Sequence, residues 1–201
     1  MEKLLKEMHD YALENDVPII EKDGLRVLKD IIIKNDVKSI LEIGTAIGYS
    51  ALNFHTYNDC NVITIERDNQ MHTLAKEYVS RVKKEDMVKL IYADALIFDE
   101  ELPIVDMIYI DAAKAQYRKF FEKYEVYLKE GGVIVFDNLD FHGWTSVPQE
   151  EIKSRNLRQL VRKINAFKEF IENNKQYDYQ YIEDGDGIGV VKRKKENIWN
   201  K

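Results

Sequence analysis

The chain has 201 residues, 45% of them hydrophobic and 33% charged, with a formal net charge of −6. That length holds one full core but not two comfortable domains, and the acidic balance speaks against a strongly basic global field while leaving room for a local basic face. The single cysteine, Cys60, excludes an internal disulfide framework and fits a reducing cytoplasm, and no apolar run is long enough to span a bilayer.

The opening residues, MEKLLKEMHDYALEND, carry mixed charge and lack the long apolar core of a signal peptide. Leu4, Leu5, Met8, Tyr11 and Ala12 fall on one stripe at helical spacing and predict a helix over 2–14. Asn15 to Pro18 break it. Ile19 and Ile20 stand just before a second helix, 22–34, and suit core packing and ligand contact alike. Two helices ahead of the first strand predict a cap, serving as a lid or as a dimer surface.

Ser39 to Ser50 reads SILEIGTAIGYS: an apolar strand, an acid, a turn bracketed by Gly44 and Gly48, and the start of a helix. An open α/β sheet presents a ligand in this way at the carboxyl end of its first strand. The turn lacks the middle glycine of a dinucleotide fingerprint, and Glu42 before it would repel a phosphate. Val62 to Glu66 is the second strand, ending in Glu66, 18 residues after Gly48, where an acid can accept both hydroxyls of a ribose. Carboxylates at Glu42 and Glu66 suit a ligand with hydroxyls and positive charge but no phosphate, such as S-adenosylmethionine. Asp68 is placed to cap a helix over 69–82.

Val88 to Tyr92 is the third strand, followed by Asp94, which lies where an adenine amino group would be held and equally suits a turn cap. Val105 to Ile110 is the fourth, almost continuously apolar as in a parallel sheet covered on both faces, and it ends in Asp111. A helix is expected from Lys114 to about Leu128. Gly131-Gly132 then turns the chain into a fifth strand, 133–136, ending in Asp137-Asn138. A long helix over about 150–173 and a final hairpin, 177–183 and 188–192 around Asp184-Gly185-Asp186-Gly187, complete the pattern. The alternation predicts a doubly wound, Rossmann-like parallel sheet with an antiparallel C-terminal pair. The expected organisation is one domain over 1–201, with a helical cap at 1–38 and a core at 39–192.

Two carboxylates and an amide at the strand tips, Asp111, Asp137 and Asn138, form an all-oxygen set that suits Mg²⁺ rather than zinc, although strand-end acids also cap helices. Lys114, three residues beyond Asp111, is disfavoured by the dipole of a helix start, which fits a proton acceptor as well as a solvated side chain. Lys153 to Lys168 holds six cations and no acid, and Arg155, Arg158 and Arg162 share one face. With Lys192 to Lys195 they suit phosphate contacts or plain solvation. Phe141, His142 and Trp144 follow the strand-five tip and suit base stacking or core cover.

The segments LEIGTAIGYSA, VITIERD, IDAAKAQYRKFFE and GGVIVFDNLDFHGW together resemble the cation-dependent, catechol-type O-methyltransferases. The likeness runs from about Val17 to Lys192. It is strongest to the bacterial branch that methylates 5-hydroxyuridine at the tRNA wobble position, through the basic stretch RNLRQLVRKINAF. The resemblance implies a seven-stranded methyltransferase fold, S-adenosylmethionine and a divalent cation as cofactors, and a homodimer. It implies Asp111, Asp137 and Asn138 as metal ligands and Lys114 as base. Glu66 would hold the ribose, Asp94 and Ala95 would flank the adenine, and Glu42, Gly44 and Ser50 would hold the methionine end. Ile20 would line the cofactor. The family's usual His-Trp between the aspartate and the lysine is Ala112-Ala113 here, which weakens the base role and suits a larger acceptor. The reading is therefore transfer of a methyl group to tRNA 5-hydroxyuridine, with small catechol-like phenols and a non-catalytic cofactor- or RNA-binding module as alternatives.

Overall fold

The computed structural model describes residues 1–194. Helices α1 (Glu2–Glu14) and α2 (Lys22–Lys34) precede the first strand, as their spacing predicts. Their apolar stripes, Leu4, Met8 and Ala12 on α1 and Leu25, Leu28, Ile31 and Ile32 on α2, are buried. Strands β1 (Ser39–Ile43), β2 (Asn61–Glu66), β3 (Val88–Tyr92), β4 (Val105–Ile110), β5 (Leu128–Phe136), β6 (Tyr177–Ile182) and β7 (Ile188–Arg193) form one sheet in the order β3-β2-β1-β4-β5-β7-β6. The first five are parallel, and β7 runs antiparallel to both β5 and β6. The strand order reverses at β1, so the carboxyl ends of β1 and β4 flank a switch point where open α/β sheets bind ligands.

Helices α3 (Tyr49–Asn58), α4 (Asn69–Arg81), α5 (Tyr117–Tyr124) and α6 (Arg155–Glu172) cover the sheet. Two apolar cores result, one containing Leu28, Phe54 and Tyr109, the other Phe121, Phe136 and Phe167. Asp68 caps α4 by accepting from the N–H groups of Gln70 and Met71, as its position predicts.

At the end of the sheet away from the glycine turn, Asp106 ties β4 to β1. One carboxylate oxygen accepts from the N–H groups of Lys38 (2.7 Å) and Ser39 (2.9 Å) and from the Ser39 hydroxyl (3.1 Å). The Lys129 ammonium lies against the other oxygen.

Three boundaries differ from the sequence expectation. The helix expected over 114–128 is a 3₁₀ turn at Lys114–Gln116, the short α5, and a second 3₁₀ turn at Glu125–Tyr127. Leu128 already belongs to β5. Gly131-Gly132 is therefore an irregularity inside that strand: the pairing to β4 shifts between Val105↔Leu128 and Met107↔Val133, and Gly131 takes a φ of +74°. Helix α6 starts at Arg155, capped by the Ser154 hydroxyl, and residues 150–154 lie outside it. Of the expected basic patch at Lys192 to Lys195, Lys195 lies outside the described residues. Among the described residues no helix is long and apolar enough to cross a membrane.

Candidate active site

A cavity of about 750 Å³ opens at the carboxyl ends of β1, β2, β4 and β5. Its size is that of a site for a small organic ligand. The segment Asn15 to Glu21, between α1 and α2, covers one side of it, and Ile20 lies in its wall. Gly44, Ser50, Glu66, Asp94, Ala95, Asp111, Lys114, Asp137 and Asn138 all line it as well. The structure thus brings together every expected site residue except Glu42.

Glu42 is fully buried behind the wall. One of its oxygens accepts from the Ser50 hydroxyl (2.5 Å) and the other from the Thr64 hydroxyl (2.5 Å). Thr45 adds a third hydroxyl, 2.5 Å from that of Thr64. Burial pushes the Glu42 carboxyl up to about 8, although both hydroxyl donors oppose the shift. Ser50, which does line the cavity, connects this carboxyl to whatever binds there. Thr45 and Thr64 were not expected as participants. The signal for Thr64 was a hydroxyl inside the apolar run VITIE, directly opposite Glu42 in the β1–β2 register.

The glycine turn is held by Glu66. Its carboxylate accepts from the N–H of Ala46 (2.9 Å) at one oxygen and from that of Asp68 (2.8 Å) at the other. Each oxygen retains a free lone-pair direction for a ligand hydroxyl. Asp94 accepts from the N–H of Leu96 (2.9 Å), and the Arg67 guanidinium is 3.8 Å from its other oxygen. The loop carrying Asp94 and Ala95 is fixed from below by α5. Lys123 donates to the carbonyls of Leu96 (3.0 Å) and Phe98 (2.5 Å), and the Tyr124 hydroxyl to that of Ala95 (2.6 Å).

At the tips of β4 and β5 stand Asp111, Asp137 and Asn138. Asp137 is 3% exposed, yet among the described residues only one hydroxyl reaches its carboxylate, that of Tyr109 (3.0 Å); the other oxygen accepts from the N–H of Asn138 (2.8 Å). The Tyr117 hydroxyl holds its carbonyl (2.6 Å). Burial, and then the Asp111 charge, pushes the Asp137 carboxyl up. Burial raises Asp111 too, against the pull of Lys114, whose ammonium is 3.8 Å from it. Two carboxylates that repel each other, Asp137 buried and Asp111 partly exposed, stand next to one lysine and would be eased by a further positive charge.

Two carboxylates with an amide oxygen are hard donors that fit Mg²⁺ or Mn²⁺ with positions left for water or acceptor oxygens. Among the described residues no group of three or more His, Cys, Asp or Glu side chains is placed for a metal. Any cation here therefore depends on the Asn138 amide. Lys114 opens a three-residue 3₁₀ turn rather than an α-helix, so the helix-dipole argument for it lapses; its place in the wall beside Asp111 takes over. Of the aromatic trio, only His142 reaches the cavity, while Trp144 opens a 3₁₀ turn at 37% exposure.

A family model described as O-methyltransferase matches residues 1–194. The chain is 24% identical over 185 residues to a caffeoyl-CoA O-methyltransferase from Populus kitakamiensis, covering 88% of this chain and 77% of that protein. The crystal structure of a candidate caffeoyl-CoA O-methyltransferase from Staphylococcus aureus matches with a TM-score of 0.90 at 37% identity, over 94% of this chain and 92% of that one. An O-methyltransferase from Bacillus cereus, solved in complex with SAH, matches with a TM-score of 0.80 at 23% identity, over 96% and 91%.

Proposed function

The chain belongs to the O-methyltransferase family, whose reaction draws its methyl group from S-adenosylmethionine, and from that premise we propose that the acceptor is a catechol-like phenol with two adjacent oxygens. The observation that carries the proposal is the meeting of Asp111, Asp137 and Asn138 with Lys114 in the wall of the cofactor-sized cavity. A relative and a solved structure named for caffeoyl-CoA methylation support the phenol over other acceptors.

The residues take their roles from their places. Glu66 would offer its free lone pairs to the ribose hydroxyls. Asp94 and Ala95 would flank the adenine. Ser50, backed by Glu42, would face the charged methionine end, and Ile20 would line the cofactor from the cap side. Asp111, Asp137 and Asn138 would hold a divalent cation. When bound, the cofactor supplies an electrophilic methyl group, and the cation supplies a Lewis acid that makes a nearby hydroxyl more acidic. Lys114 Nζ lies in the cavity wall beside Asp111, where, in its neutral form, it would take up the proton of the acceptor hydroxyl. Ala112 and Ala113 leave room beside these groups for an aromatic ring. The rest of the catalysis is position: two reactants held in one enclosed site.

A second reading, the 5-hydroxyuridine of tRNA, is favoured by one observation. Arg155, Arg162 and Lys163 are exposed on α6, with Arg158 half-buried, and none of the four is in an ion pair among the described residues. Both acceptors present a hydroxyl next to a second oxygen. Incubation with labelled S-adenosylmethionine, Mg²⁺ and either a catechol panel or tRNA carrying 5-hydroxyuridine separates them. Label entering the small phenols supports the main reading. Label entering tRNA alone, and its loss when Arg155, Arg158 and Arg162 are changed to Glu, would replace it with the second.

A further inference from the structure

The turn between β6 and β7 reaches across the sheet edge to the tip of β5. Its backbone is pinned there: the N–H of Leu139 donates to the Gly187 carbonyl (2.8 Å), and that of Asp140 to the Asp186 carbonyl (2.8 Å). The approach is tight, since a Cβ on Gly187 would lie 2.8 Å from the Asp140 nitrogen. Asp186 is thereby carried into the cavity wall at 7% exposure. One carboxylate oxygen accepts from the Asn138 side-chain nitrogen (3.2 Å), and the other from the His142 backbone N–H. The His142 ring Nδ1 is 3.6 Å away. No lysine or arginine pairs with Asp186 among the described residues. Nothing in the reaction outlined above uses it.

A carboxylate can only accept hydrogen bonds, whereas an amide has one donating and one accepting end. The amide end that faces Asp186 must therefore be the nitrogen, and the end turned the other way must be the oxygen. We infer that Asp186 is a positioning residue: it fixes the Asn138 amide with its oxygen presented to Asp111 and Asp137, where a cation would be held. This rests on the cation reading proposed above. Without such a partner the amide has two orientations, and the wrong one turns two N–H groups toward the positive ion. Asn138 also sits at a φ of +54°, and Phe141 and His142 at +49° and +55°. Asp186 spans this stretch, holding its first and last residues. The sequence offered only a hairpin signal at this point. The role arises from the approach of two segments 48 residues apart.

The test measures Mn²⁺ binding to the whole protein by titration calorimetry or electron paramagnetic resonance, without acceptor. Asp186→Asn keeps the volume and lets the new amide donate to the Asn138 oxygen, which favours the reversed orientation. It should weaken Mn²⁺ binding about 10- to 100-fold, the range typical for lost outer-sphere partners of metal ligands. S-adenosylhomocysteine affinity and melting temperature should stay within twofold and two degrees or so of wild type. The double variant Asp186→Asn with Asn138→Asp reverses the polarity of the pair. It places a carboxylate at 138 with an amide donor behind it, and should recover most of the Mn²⁺ affinity. Unchanged Mn²⁺ affinity in the single variant, or no recovery in the double, overturns the inference. So does loss of folding and cofactor binding in step with the metal, since that is what a structural contact would give. Failure of the wild-type protein to bind Mn²⁺ is a different result: it removes the cation reading itself, and the inference with it.

Discussion

Gly44 and Asp111 meet backbone to backbone: a Cβ on Gly44 would lie 2.0 Å from the Asp111 carbonyl oxygen, and Gly44 has a φ of +101°. The glycine turn after β1 and the Asp111 tip of β4 are thus in direct contact, with no side chain between them. The Asp111 N–H donates to the Ile43 carbonyl (3.0 Å) and the Gly44 N–H to that of Ile65 (3.0 Å), so neither partner is free to retreat. Gly44→Ala meets both a disfavoured φ and a backbone clash, and should lower stability by roughly 2–4 kcal/mol. Chemical denaturation measures this. Cofactor and cation affinity should fall together in whatever folded fraction remains.

Glu42 gives a pH dependence of known sign. Its folded-state carboxyl sits at about 8, above the ordinary 4.5. A raised carboxyl favours the fold while protonated, so its contribution is complete below pH 4.5 and declines as pH rises toward 8. The melting temperature of the ligand-free protein should fall across that window, and Glu42→Gln should flatten this part of the profile. A cationic cofactor prefers the ionised carboxyl, so S-adenosylmethionine affinity should rise toward pH 8 in the wild type and lose that rise in Glu42→Gln. A wild-type affinity that is flat from pH 5 to 8 contradicts the coupling through Ser50.

Asp137→Ala removes one of the two carboxylates at the tips of β4 and β5. If Asp137 holds the proposed cation directly, turnover should fall by more than the roughly 10- to 100-fold that an outer-sphere loss costs. S-adenosylhomocysteine affinity, measured by calorimetry, should hold within a few-fold. Full activity of the wild type in excess chelator would count against the cation reading.

Substitution separates two roles for Lys114: a charge beside Asp111 when protonated, or the proposed proton acceptor at Nζ when neutral. Lys114→Arg keeps the first and loses the second, because a guanidinium does not give up its proton. If Nζ takes the hydroxyl proton, Lys114→Arg and Lys114→Gln should both lower kcat by about 100-fold or more with cofactor affinity intact. Recovery of kcat by arginine alone would assign the residue to charge neutralisation instead.

The strand pattern was legible because apolar runs ending in Glu66, Asp111 and Asp137-Asn138 carry their signal locally. Periodicity marks the strand, and the polar end marks the edge where strands of a doubly wound sheet converge. The irregular stretches were not legible in this way. Lys114 to Tyr127 has an apolar stripe of helical period, yet the helix is only Tyr117–Tyr124, with a 3₁₀ turn on each side. Gly131-Gly132 reads as a turn by composition, while the sheet absorbs it as a bulge. Residues 150–154 read as helix until Ser154 is seen to cap α6. Glu42 was expected in the cofactor site and stands behind it, since only the packed structure shows Ser50 and Thr64 taking both its oxygens. Asp186 was hidden for a related reason: its partners, Asn138 and His142, belong to another element.

Asp106 and Asp111 sit at opposite ends of the same strand, one clasping Lys38 and Ser39, the other lining the cavity. The β1–β4 pairing that brings Asp111 against Gly44 is thus clasped at its other end by Asp106. Alignment and chemistry are assigned to different ends of one strand, and they are free to diverge separately. Residues 112–113 and the loop around His142 can be redrawn to admit new acceptors while the frame keeps its gauge. Loss of the Asp106 carboxylate would loosen the β1–β4 pairing at its far end without touching one wall of the site.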